Sequence, residues 1–93
     1  MKQYNITETK EAFNAFFDHY GECAFYDIFR NCSAQAMGSK QAWILTDEKG
    51  NKWLQSYNTI VSVKWADTQK VERLGRWSLT TSKHQTLFER TIY

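Results

Sequence analysis

The chain has 93 residues, a formal net charge of +2 and aromatic side chains at 16% of its positions, which bounds it to one small domain. So small a charge excludes an acidic mimic of DNA, and no apolar run approaches the ~18 residues of a membrane-spanning helix. The opening MKQYNITETK lacks the apolar segment of a secretory signal, so a cytoplasmic location is expected, with Cys23 and Cys32 as free thiols.

Thr7 and Thr9 are candidate N-caps of a first helix, with acids in its first turn to meet the dipole. Phe13, Phe16, Phe17 and Tyr20 then recur at i, i+3, i+4 and i+7, a single apolar stripe. Gly21 stands where a left-handed C-cap is wanted. Residues 22–38 are mixed. Ala24, Phe25, Ile28 and Phe29 fit a second short helix over 23–31, and an early edge strand over 24–30 is the alternative; an irregular stretch follows through Met37.

Residues 40–46 (KQAWILT) are apolar and β-leaning, 47–51 (DEKGN) form a turn, and 52–57 return as the partner strand. The segment 59–65 (TIVSVKW) alternates, with Val61, Val63 and Trp65 against Ser62 and Lys64. After a polar turn, 71–77 reads as a fourth strand in which Gly75 marks a bulge or a close backbone approach. Ser78, Thr80, Thr81 and Ser82 are candidate caps for a last helix, Ser82 and Gln85 fit a capping box, and the helix runs to about Arg90.

The fold class expected is α+β: an N-terminal helix (with or without a second), a meander of about four antiparallel strands, and a C-terminal helix packed on the sheet. Its core is expected from Phe13, Phe16, Phe17, Val61, Val63 and Phe88. Two short helices are not expected to cover both sheet faces, so some aromatic rings should remain exposed.

The soft metal ligands are His19, Cys23, Cys32 and His84. Gly21 interrupts the His19–Cys23 spacing, and the cysteines stand nine apart rather than two to four. No metal or cofactor is expected. A Cys–His pair has no nucleophile elbow or orienting acid beside it, and the four glycines are scattered rather than gathered in a phosphate loop. An enzyme is not expected. Trp53, Tyr57, Trp65 and Trp77 have Lys52, Lys64, Arg73 and Arg76 near them, and rings flanked by cations hold single-stranded bases. Nucleic-acid binding is therefore one functional reading, with a sheet core as the plainer account of the same rings.

Ser56-Tyr57-Asn58-Thr59-Ile60-Val61, followed by Trp77-Ser78-Leu79-Thr80-Thr81-Ser82-Lys83-His84, resembles a family of small bacteriophage proteins. Its pattern of a Leu-x-Ser-Tyr-x-Thr strand and a Trp-Ser-x-Thr-Thr-x-Lys-His-x-x-x-Phe helix start is met by Leu54, Ser56, Tyr57, Thr59, Trp77, Ser78, Thr80, Thr81, Lys83, His84 and Phe88. The resemblance covers about the last 40 residues and leaves the first 50 unplaced. It implies origin and fold, and through the origin a host protein as target: a stoichiometric, non-catalytic inhibitor of a host defence or housekeeping complex, anti-CRISPR-like, with a CRISPR–Cas component among the candidate partners.

Two roles divide the motif residues. Arg76, Trp77 and Lys83, with Arg73, Trp65 and Lys64 on the sheet, are expected to contact a partner or an anionic group. Tyr57, Thr80, Thr81 and His84 are expected to form a clasp, with His84 bonding back to Ser56, Tyr57 or Thr59. The open edges of a meander also favour self-pairing, so either a monomer or a homodimer is expected.

Overall fold

The computed structural model describes residues 10–21, 32–37, 41–57, 59–75 and 78–92. Helix α1 (Lys10–Tyr20) buries Ala12 and Phe16 completely. It stops at Gly21, whose left-handed φ of 71° lets its N–H donate to the Phe17 carbonyl at 2.7 Å. The buried stripe is narrower than its four rings suggest. One residue on from Phe16 lies about 100° round the helix, which carries Phe17 onto the shoulder at 44% exposure. Phe13 is only partly buried. The expected second helix at 23–31, and the edge strand over 24–30 that was its alternative, lie outside the described residues.

Five antiparallel strands follow, laid side by side in chain order: β1 (Ser33–Ala36), β2 (Ala42–Thr46), β3 (Lys52–Ser56), β4 (Thr59–Lys64) and β5 (Val71–Arg73). The expectation of about four falls short by β1, which arises where an irregular stretch was expected. Ser-Ala-Gln-Ala carries no β-branched and no large apolar side chain, so its pairing to β2 is what makes it a strand. At the other edge β5 is three residues long, shorter than the 71–77 segment expected.

The β3–β4 pairing contains a bulge. Leu54 stands opposite Ser62 and Gln55 opposite Ile60, so β4 carries one residue more than its partner. This reverses the facing of half the strand. Ile60, rather than Val61, shares a face with Val63 and Trp65, and Val61 joins Leu54 and Phe88 on the other.

Helix α2 (Leu79–Ile92) is capped by Ser78, whose Oγ accepts the Thr81 amide at 3.1 Å. It therefore begins three residues before the capping box, and Gln85 lies inside it, 1% exposed, donating through Nε2 to the Val61 carbonyl at 3.0 Å. The two helices of the described residues take opposite faces of the sheet. Ala12 and Phe16 pack with Leu45, Trp53, Ile60 and Trp65, while Phe88 packs with Ile44, Leu54 and Val61. Both faces are covered at the centre, which corrects the expectation of exposed sheet rings for Trp53 (0% exposed) and Trp65 (2%).

Among the described residues, no helix is long and apolar enough to cross a membrane.

Candidate functional site where the third strand meets the last helix

β3 ends at Ser56, and Tyr57 turns the chain with a φ of 57°. A left-handed aromatic residue is unfavourable by about 1–3 kcal/mol and persists only when its surroundings fix it. Here the Tyr57 N–H donates to the Gln41 carbonyl at 2.8 Å, and the Gln55 side-chain amide donates to the Tyr57 carbonyl at 2.6 Å. The turn is thus held from both sides.

That geometry sends the Ser56 hydroxyl towards the first turns of α2. Its Oγ lies 2.8 Å from His84 Nδ1 and 3.2 Å from Thr81 Oγ1. Ser78 completes the cluster by donating to Thr81 Oγ1 at 3.3 Å. The His84 ring lies against that of Tyr57, with centroids 5.7 Å apart. Ser56, Thr81 and His84 are all at least 95% buried. A serine beside an imidazole suggests nucleophilic chemistry, but Ser56 is 2% exposed, so no substrate carbonyl reaches it in this arrangement. The group is a polar strut between strand and helix.

The expected clasp is therefore partly as anticipated. Thr81 and His84 are in it, Tyr57 covers it, and Ser56 is the sheet residue that His84 engages. Thr80 is exposed and stands outside it. Around the clasp the exposed side chains include Tyr57 at 47%, Leu79 at 75% and Lys83. Arg76 and Trp77, both expected contacts, lie outside the described residues.

The other expected contacts are occupied within the chain. Trp65 is buried, its ring stacked on His19 at 3.9 Å with 4° between the planes, and its Nε1 donates to Glu72 at 2.8 Å. Lys64 donates through Nζ to the Ile92 carbonyl at 3.0 Å. Arg73 lies along α2, one turn beyond Lys83, and donates to Glu89 at 2.7 and 3.0 Å and to Thr86 at 3.2 Å. The hydrogen-bonded guanidinium holds the Glu89 carboxyl below its ordinary value, against partial burial.

Two features escape sequence reasoning. On the α1 side a groove of about 440 Å³ runs between the helix and β5, lined by Glu11, Asn14, Asp18, Glu72 and Leu74. His19 also lines it, and its Nε2 bonds both oxygens of Asp67 at 2.9 and 3.0 Å, which lowers the Asp67 pKa. The second is a buried network. Asp47 accepts from the Lys49 and Asn51 amides at 2.8 and 2.9 Å and from Trp53 Nε1 at 2.7 Å. Asn51 in turn accepts the Ala66 amide at 2.7 Å and donates to the Tyr20 hydroxyl at 2.9 Å. An aspartate two residues before a lysine in DEKGN signals the turn, but not its ties to α1 and to the turn after β4.

A family of unknown function (DUF8033) matches residues 31–92, a span that takes in all five strands, α2 and both halves of the clasp. The chain belongs to DUF8033. No curated protein and no solved structure matches it. The DUF8033 segment leaves out α1, so the helix that covers one sheet face comes from sequence outside the match, whereas Ser56, Tyr57, Thr81 and His84 all come from within it.

Proposed function

We propose that this DUF8033 chain is a non-catalytic binding protein of phage type, which docks on a host protein complex in the host cytoplasm and inhibits it, as an anti-CRISPR protein would. The docking surface is the end formed by Tyr57, the first turn of α2 and Lys83. One observation carries this reading. The reactive-looking side chains at that end are turned inward and bonded to one another, while two of the large apolar side chains left exposed among the described residues, Tyr57 and Leu79, flank them.

Tyrosine is a hot-spot residue of protein interfaces, offering a large contact area through few rotatable bonds. Tyr57 is fixed further by its backbone bonds and by the His84 ring. A side chain already ordered loses less entropy when a partner covers it. Lys83 adds a positive rim, which suits an acidic partner surface.

Capture from bacterial lysate with the wild-type chain and with Tyr57→Ala/Leu79→Asp tests the reading. A protein retained by the first and lost by the second, at unchanged melting temperature, supports it. A salt-sensitive shift of a labelled single-stranded oligonucleotide without any host protein sinks it in favour of nucleic-acid binding.

A further inference from the structure

The two edges of the sheet are built differently. β5 is short, and its Glu72 and Arg73 are charged and engaged by Trp65 and Glu89, which is how natural sheets guard an edge against pairing. At the other edge, β1 carries Ser33, Ala34, Gln35 and Ala36, all four exposed, with no charge and no proline. Among the described residues no strand pairs with its outer side.

The phase of its backbone follows from two bonds. The Met37 amide donates to the Ala42 carbonyl at 3.0 Å, and the Tyr57 amide to the Gln41 carbonyl at 2.8 Å. Hydrogen-bonded pairs alternate with open pairs in an antiparallel ladder. With Gln35 opposite Ile44 and Ser33 opposite Thr46, those two pairs are the bonded ones. Ala34 and Ala36 consequently turn their N–H and C=O groups away from the sheet.

We infer that β1 pairs with β1 of a second copy, antiparallel across a two-fold axis, joining two five-stranded sheets into one. One register uses both outward residues: Ala34 of one copy opposite Ala36 of the other, and the reverse, for four backbone hydrogen bonds. Gln35 then faces its own copy at the axis in an open pair. A second copy fits this edge because the strand is self-complementary in that register, and because an uncharged edge brings no like-charge repulsion. Four residues bury less than the ~800 Å² per partner of a standard interface, so the dimer dissociates on dilution. The inference is independent of the proposed docking end, which is built from the end of β3 and the start of α2 and uses no residue of β1.

Open antiparallel pairs bring Cα atoms to about 4.5 Å, within disulfide reach. In a Cys23→Ser/Cys32→Ser background, Gln35→Cys is expected to cross-link on mild oxidation at least about tenfold faster than Ser33→Cys, which the register sets opposite Met37 of the other copy. Ala34→Pro removes one outward N–H and leaves the bonds to β2 intact, so its addition should lower the Gln35→Cys rate to that of Ser33→Cys. By sedimentation equilibrium, the wild-type mass should rise with concentration and the Ala34→Pro mass should not. Equal cross-linking rates for the two cysteine variants, or a wild-type chain that stays monomeric throughout the concentration range, overturns self-pairing. Monomeric behaviour together with capture of an extended peptide at β1 overturns it in favour of a different occupant.

Discussion

Ser56 Oγ lies 2.8 Å from His84 Nδ1, and this bond, beside the Ser56–Thr81 contact, ties the end of β3 to the second turn of α2. Removing the imidazole leaves a serine and a threonine hydroxyl in a site that excludes water. His84→Ala is therefore expected to destabilise the fold by about 1–3 kcal/mol. For a domain of this size that lowers the melting temperature by roughly 4–8 °C per kcal/mol, as differential scanning calorimetry would register. A melt unchanged within a degree would mean that the clasp adds nothing to stability.

The two adjacent phenylalanines of α1 should part company. Phe16 is fully buried, and Phe16→Ala is expected to cost about 3–5 kcal/mol, enough to unfold most of a domain this small. Phe17 is 44% exposed, so Phe17→Ala should cost about 1 kcal/mol or less. Circular dichroism melts of the pair check this. Equal losses would place the helix in a different rotation on the sheet.

That contrast also shows how much was legible in the sequence. The i, i+3, i+4, i+7 rings announce a helix packed on one side, and Gly21 announces its end. Neither fixes the rotation to within one residue, because the centre of the stripe is set by Ala12, a small residue that no hydrophobic count favours. The alternation in β4 is likewise plain, yet the bulge opposite Leu54 and Gln55 exchanges Val61 for Ile60, since the extra residue is a matter of pairing rather than composition. β1 was illegible for the same reason. At the site, the resemblance drew attention to Ser56, Thr81 and His84 together, and the fold brings them together. Trp65 was misplaced as a contact because a ring on a strand looks the same in sequence whether or not a helix covers it.

Asp47 gathers four donors at the β2–β3 turn. Asp47→Ala leaves the Trp53 indole and the Asn51 and Lys49 amides without that carboxylate. Buried donors left unmatched cost about 1–3 kcal/mol each, so a melting temperature lower by more than about 10 °C is expected. Trp53, next to the vacated position, should show a changed fluorescence maximum. Retention of both the melt and the emission would show that the turn is set by Gly50 and not by the aspartate.

The Arg73–Glu89 pair gives a pH signature of known sign. Its guanidinium lowers the Glu89 pKa from the ordinary 4.5. A depressed carboxylate adds stability above its unfolded value and loses it as pH falls through the folded one. The difference in melting temperature between wild type and Arg73→Ala should therefore be constant from pH 7 to about 5 and shrink below that. Both side chains are partly exposed, so the plateau amounts to about 1 kcal/mol at most and salt reduces it. A difference that grows on acidification would assign the pair the wrong charge state.

The docking end is tested most directly by affinity. Once a host protein has been captured and purified, its binding to the wild-type chain and to Tyr57→Ala/Leu79→Asp can be measured by titration calorimetry, with a thermal melt of each. The account predicts at least a hundredfold weaker binding for the variant at an unchanged melting temperature. Binding within threefold of wild type would contradict it, and would place the functional surface elsewhere on the molecule.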